Sequence, residues 1–306
     1  MYDIIIIGAG PAGLTAAIYA RRAEKSVLVI EKDTFGGQIT HSPRVENYPG
    51  FSSVSGNELA DKLIEQTIDQ GAMIELDEVT SIEGEPGDYT VKGVAKEYKA
   101  RAVIIASGSK HRHLGIEGEE RLIGEGISYC AVCDGAFYRG QTVAVIGGGN
   151  SALQDAVLLC EGCEKVYVVQ NLPLLTGEER LQRILAGRPN VEIICSSVVE
   201  RIIGNESLRA IEILNTENGE RRLLNVQGMF VAIGQKPDNE PFASVTRLDG
   251  AGYITADESC VPLDSPKGIF VAGDCRTKTI RQVTTATADG AIAALAAVRF
   301  LDNLNE

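Results

Sequence analysis

Gly8-Ala9-Gly10-Pro11-Ala12-Gly13 follows directly on the apolar run Tyr2 to Ile7 and opens the Ala-rich stretch Leu14 to Arg22, after which the chain turns apolar again from Ser26 to Ile30. That order is strand, helix, strand, a parallel pair whose crossover is right-handed. Gly8 permits the tight turn, Gly10 lets a pyrophosphate approach the backbone, and Gly13 lets the helix pack on the sheet. Pro11 and Ala12 sit at the helix start, where N–H donors and the positive end of the dipole favour an anion. Glu31, 23 residues after Gly8 at the end of the second strand, is placed to accept hydrogen bonds from ribose hydroxyls. Gly8, Gly10, Gly13 and Glu31 are expected to hold an ADP moiety.

The pattern recurs. Thr142 to Ile146, Gly147-Gly148-Gly149-Asn150-Ser151-Ala152, the stretch to Leu159 and the run Lys165 to Val169 repeat strand, glycine turn, helix and strand. Gly147, Gly149, Asn150, Ser151 and Ala152 are therefore candidates for a second nucleotide. Here the residue 23 positions on is Gln170, which offers neither a carboxylate for a free 2′-hydroxyl nor an arginine for a 2′-phosphate. A βαβ shape that no longer binds a nucleotide stands beside the binding interpretation.

Each half continues with a hairpin region, around Glu85 to Tyr98 and around Asn205 to Leu224, and a strand ending in glycine, Ala102 to Ala106 and Met229 to Ile233. The closing piece, Gly268 to Gly273 with a helix over Thr284 to Leu301, has no counterpart in the second half and is expected to complete the first. The expected fold is α/β, with two Rossmann-like three-layer dinucleotide-binding domains and the second inserted into the first. Residues 1–112 and 237–306 would form one domain, and residues 113–236 the other.

Of 306 residues 44% are apolar and 23% charged, enough for two packed domains. A net charge of −13 disfavours nucleic acid and anionic membranes as partners. Apolar runs fall short of the roughly 20 residues a membrane span needs, so the expectation is a cytoplasmic protein with no membrane partner. Seven cysteines, an odd number, point to specific thiol chemistry over a secreted disulfide framework.

Cys130-Ala131-Val132-Cys133-Asp134-Gly135 precedes the second fingerprint. Cysteines at this spacing can close a small disulfide ring, and at a helix start the dipole would stabilise a thiolate. Asp134 is the candidate proton donor and acceptor if burial raises its pKa. Cys160 and Cys163 form a second C-x-x-C, so a four-cysteine zinc site competes with small buried side chains there. The three histidines show no paired ligand motif, and no metal site is expected. Cys195 and Cys260 look like isolated strand or loop cysteines, and for Cys275, directly after Asp274, a packed small residue is favoured over a place near a flavin.

Two dinucleotide folds with C-x-x-C-D-G in the second resemble the low-molecular-weight thioredoxin reductases over nearly the whole chain. Gly36-Gly37-Gln38, Val45 to Gly50, Phe137-Tyr138, Gly268 to Asp274 and Arg281-Gln282 extend the resemblance. It implies a homodimeric flavoenzyme whose FAD site includes Gly37, Gln38, Asn47, Gly108, Gly273, Asp274, Arg281, Gln282 and Val283. It implies that Cys133 takes electrons from the flavin, Cys130 attacks a thioredoxin disulfide, Cys133 resolves the mixed disulfide, and Asp134 handles the proton. It also implies a small domain that rotates, with hinge candidates at Lys110 to Gly115 and Gly234 to Pro237.

One departure bears on the electron donor. Where the family carries a His-Arg-Arg stretch and a further Arg that clamp the NADPH 2′-phosphate, this chain has Gln170, Asn171, Leu172 and Thr176. Charge-assisted phosphate contacts are worth roughly 1.5–3 kcal/mol each. NADH, NADPH held through Arg180 or Arg183, and a protein donor such as ferredoxin all stay open, with ferredoxin favoured. A basic patch for it would be Arg21, Arg22 and Lys25, or Arg276, Lys278 and Arg281. The competing activities are a conventional NAD(P)H-dependent thioredoxin reductase, a flavin disulfide oxidase acting on a small dithiol, a ferredoxin or flavodoxin reductase and, outside enzymes, a flavin-binding scaffold.

Overall fold

The computed structural model describes residues 1–42 and 44–304. Contacts divide the chain into two compact units, residues 1–110 with 236–306, and residues 111–235. At the two crossings the strand Ser109–His111 pairs with Gln235–Pro237.

In the first unit, parallel strands run in the order Met73–Leu76, Val27–Glu31, Tyr2–Ile7, Glu97–Ile105. Glu97–Ile105 carries two partners on one edge. Its first half pairs antiparallel with Asp88–Gly93, which continues the hairpin to Val79–Glu85, and its second half pairs parallel with Ile269–Val271. The central strands read as unbroken Ile and Val because both faces are covered, and Ile4, Ile5, Ile6, Val103 and Ile104 are fully buried.

The helices Pro11–Arg22 and Val283–Asn303 pack together over this sheet. They come close because position 290 lacks a side chain: a Cβ on Gly290 would lie 2.2 Å from the Ala12 carbonyl oxygen. Val283–Asn303 has 21 residues and, by length and composition, is apolar enough to cross a membrane, which corrects the expectation that nothing approaches a span. Thr, Asp289 and Arg299 interrupt its apolar runs in the sequence. Its Ala293, Ala294, Ala297 and Leu301 belong to the same buried cluster as Ala12, Ala16 and Ala20, so in this fold one face of it lies in the core.

The second unit is built on a parallel sheet ordered Val191–Ile194, Lys165–Val169, Thr142–Ile146, Gly228–Val231, Ile127–Ser128. An antiparallel sheet of Ser197–Ile203, Ala210–Asn215 and Arg221–Asn225 accompanies it. The two-residue edge strand Ile127–Ser128 carries no sequence signal of its own. It nevertheless matters, because it leads straight into the cysteine pair.

Gly290→Ala is expected to lose about 1–3 kcal/mol by overpacking, outweighing a helix-propensity gain of at most about 1 kcal/mol. Denaturant unfolding reads this directly, and a variant as stable as the parent would show that the two helices separate without cost.

Candidate active site

In the first unit the glycine turn, the loop after the second strand and the turn after Ile269–Val271 converge at the carboxyl ends of the parallel strands, where open α/β sheets place their ligands. Gly8 has φ +110°, and a Cβ there would lie 2.3 Å from the Ala106 carbonyl oxygen, so only glycine fits. A Cβ on Gly10 would meet nothing within 4 Å, leaving the backbone open to approach. The Ala9 N–H donates to Glu31 Oε2 at 2.7 Å, while Oε1 accepts from the Lys32 and Asp33 N–H groups. Gly36 N–H donates to the Ala9 carbonyl, and Gly37 packs beside Gly10. Gln38 is exposed on the turn Gly37–His41. Gly108 follows Ala106 at φ +69° with open space where a side chain would be.

Gly273 and Asp274 form the turn after Ile269–Val271. Asp274 Oδ1 is buried with no hydrogen-bond partner, and burial raises its carboxyl, against the pull of Lys278 and Arg281. Arg281 lies 4.2 Å over the Tyr253 ring and donates to the Asp274 and Arg276 carbonyls. Gln282 caps the helix that begins at Val283, and its Oε1 accepts from Asn47 Nδ2 at 3.2 Å.

In the second unit Cys130 and Cys133 form a disulfide. Cys130 is the N-cap of the short helix Ala131–Asp134, so the Cys133 N–H donates to Cys130 Sγ at 3.2 Å. Ser128 was missed by sequence reasoning. Its hydroxyl donates to Asp134 Oδ2 at 2.6 Å and accepts from the Cys130 N–H at 3.0 Å, linking the acid to the dithiol. Asp134 Oδ1 is buried without a partner, and burial raises the carboxyl above its ordinary value. Also unanticipated is a cluster just before Cys130, where the Tyr129 hydroxyl donates to Glu119 Oε1 at 2.9 Å and stands 3.0 Å from His113 Nδ1. His111 stacks on the Tyr129 ring, and burial lowers its imidazole to about 4.

The second fingerprint copies the geometry of the first. A Cβ on Gly147 would lie 2.4 Å from the Ala232 carbonyl, Gly149 is open, and Ala152 packs beneath. Ser151 is exposed at the helix start. Thr176 N–H donates to the Gly148 carbonyl, and Asn150 Oδ1 accepts from the Glu178 N–H. Gln170 is buried, with Nε2 turned to the Leu174 carbonyl. Arg180 and Arg183 are exposed on the helix Glu179–Ala186 that starts beside this turn.

One alternative is removed and one expectation needs correction. Because Cys130 and Cys133 are joined to each other, they cannot share a four-cysteine zinc site with Cys160 and Cys163. Those two are buried thiols, raised by that burial, and Asn190 Nδ2 donates to both their carbonyls. The second basic patch is not a free surface, since Arg276 and Lys278 are buried on Asp289; in the first, Arg21 bonds the Gln70 and Lys25 carbonyls, Lys25 pairs with Asp302, and Arg22 is exposed.

Two glycine fingerprints, one of them in a unit that also carries a disulfide with a buried acid beside it, define a flavin-dependent disulfide oxidoreductase. The pyridine nucleotide-disulphide oxidoreductase family model matches residues 2–290. Thioredoxin reductases of Listeria innocua and Bacillus subtilis are 40% and 39% identical over 307 aligned positions, covering 100% of this chain and 96% of theirs. Among solved structures, thioredoxin reductase of Streptococcus pyogenes superposes with TM-score 0.94 at 39% identity, covering 99% of both chains. That of Giardia duodenalis gives 0.92 at 32% identity, covering 98% of this chain and 99% of its own. The chain belongs to the pyridine nucleotide-disulphide oxidoreductase family, in its low-molecular-weight thioredoxin reductase branch.

Because burial raises the Asp134 carboxyl, the folded chain keeps a proton that the unfolded chain has already lost, and this group's contribution turns unfavourable as pH rises above its ordinary value of 3.8. Asp134→Asn should therefore melt above the parent at neutral pH, with the gap closing as pH falls toward 4. A gap that does not change with pH would show that the carboxyl carries no such burden.

Proposed function

We propose that the chain is a thioredoxin-disulfide reductase in which electrons pass from FAD to the Cys130/Cys133 pair and on to thioredoxin. The observation that carries this is the Cys130–Cys133 disulfide with Asp134 held beside it by Ser128 and one carboxylate oxygen left unpartnered. A structural disulfide has no use for a buried, unsatisfied acid.

The residues of the first unit fit a flavin dinucleotide. The open backbone at Gly10 and the helix start at Pro11 and Ala12 suit its pyrophosphate, and Glu31 suits a ribose. The partnerless Asp274 Oδ1 suits a polyol hydroxyl, and by the family resemblance Gly37, Gln38, Asn47, Gly108, Gly273, Arg281, Gln282 and Val283 belong to the same dinucleotide site. The chemistry FAD supplies when bound is the delivery of two electrons to the disulfide.

Once the pair is a dithiol, the Cys130 thiolate, stabilised by the Cys133 N–H, attacks one sulfur of the thioredoxin disulfide. One sulfur–sulfur bond forms and one breaks, and the thiolate released from thioredoxin takes a proton from Asp134. Cys133 then gives its proton to Asp134 and attacks Cys130 Sγ; the bond from Cys130 to thioredoxin breaks as the disulfide closes, and the second thioredoxin sulfur leaves as a thiolate that takes its proton from water. An acid raised by burial suits this exchange of one proton in each direction.

For the donor, the neutral rim of Gln170, Asn171, Leu172 and Thr176 supports a protein such as ferredoxin over NADPH. The second interpretation, NADH or NADPH at Gly147, Gly149, Asn150, Ser151 and Ala152, is favoured by the copied glycine geometry and by the exposed Arg180 and Arg183. We assign the chain to the cytoplasm as a homodimer, by its resemblance to the family; sedimentation tests the dimer.

Cys133→Ser should accumulate a mixed disulfide between Cys130 and thioredoxin, and Cys130→Ser should form none, as read by mass spectrometry. Asp134→Asn should slow the exchange by about 10²–10⁴-fold. Unchanged thioredoxin reduction in Cys130→Ser would end this proposal. Anaerobic flavin bleaching by NADPH, NADH and reduced ferredoxin, each tried alone, selects the donor: bleaching at micromolar NADPH removes ferredoxin, and bleaching by ferredoxin alone removes both nucleotides.

A further inference from the structure

Asp289, the seventh residue of the helix Val283–Asn303, is a buried carboxylate in the first unit. Its side chain is 4% exposed and accepts four hydrogen bonds: from Gly273 N–H at 3.0 Å, Arg276 Nε at 2.9 Å and Nη2 at 2.8 Å, and Lys278 Nζ at 2.9 Å. Arg276 and Lys278 are 1% and 5% exposed. Arg276 also donates to Glu258 and to the Thr277 carbonyl. All three donor residues on Asp289 come from one short stretch, residues 273 to 278, and that stretch carries Asp274.

A buried ion cluster is a poor way to gain stability, since well-packed apolar side chains often do as well. What it does provide here is geometry. The two Asp289 oxygens fix the backbone at Gly273 and wrap the following residues around one point, so the peptide between them holds one conformation. The residue presented by that conformation is Asp274, whose Oδ1 is out of water without a partner. An oxygen in that state needs a donor from a ligand. Burial raises the Asp274 carboxyl, and the nearby Lys278, Arg281 and Arg276 pull against that rise.

We propose that Asp289 is a positioning residue for cofactor binding: through Gly273, Arg276 and Lys278 it holds the turn that aims Asp274 at a flavin polyol hydroxyl. This rests on Asp274 being a cofactor contact, as proposed above. Asp289 touches no ligand itself. Its effect is transmitted wholly by the turn, so removing it should matter only while Asp274 is there to be aimed.

The test is a double-mutant cycle on FAD affinity, measured by fluorescence titration of the apoprotein, with Asp274→Ala, Asp289→Asn and the double variant. Asp274→Ala and Asp289→Asn should each weaken binding by about ten-fold or more, and the double variant should bind much as Asp274→Ala does. The apoprotein melting temperature should be lowered no further in the double variant than in Asp289→Asn. If the two losses multiply, Asp289 acts independently of Asp274 and the proposal falls. If Asp274→Ala binds FAD as the parent does, the assignment of Asp274 falls first, and this proposal with it. Should Asp289→Asn fail to fold, Lys278→Met takes its place in the cycle with the same two outcomes.

Discussion

The close approach of backbone to backbone at the two glycine turns is the constraint on which the rest depends. Gly8 lies against the Ala106 carbonyl and Gly147 against the Ala232 carbonyl, each so near that a single added carbon would collide. Because these approaches are possible, a helix starts directly over the end of its strand and points its unpaired N–H groups outward. Everything assembled around the first turn, including Glu31, Gly37 and the Gly273–Asp274 turn, is then within reach of the same place. The second turn has the same backbone and a different chemistry, because Gln170, Asn171, Leu172 and Thr176 at its rim are neutral.

Two buried acids show how one residue type is put to opposite uses. Asp289 is surrounded by donors, and although burial pushes its carboxyl up, its bonds to Arg276 and Lys278 hold it below the usual range. Asp134 has one hydroxyl and nothing else, so burial wins and its carboxyl rises. The first is a fixed charge that organises backbone. The second is a group whose neutral form burial favours, the direction that a proton carrier in the proposed thiol exchange would use.

Much of the architecture was legible because its signals are local. A glycine turn between an apolar strand and an Ala-rich helix is contained in about thirty residues, and it occurs twice. The cysteine pair and its neighbouring acid are likewise contiguous. Ser128 and Asp289 were not legible, since what matters about them is a partner on another element. A lone carboxylate in the Ala-rich run from Thr284 to Leu301 was a usable hint that something cationic must meet it. The second basic patch failed for the complementary reason: Arg276 and Lys278 count as charge in the sequence, but burial on Asp289 removes them from the surface. The span-length helix was hidden because its polar residues break the apolar runs while leaving its average apolar.

The strand Glu97–Ile105 leaves one of its edges to be finished by Ile269–Val271, which the ribosome makes only after the whole of residues 111–235. The inserted unit is continuous in sequence and can close its core as soon as it has emerged. The first unit cannot, and its apolar strands must wait with an open edge until the last quarter of the chain arrives. The unit completed last is therefore the one begun first, and during synthesis the dithiol is built on finished structure before the fold proposed to feed it electrons exists.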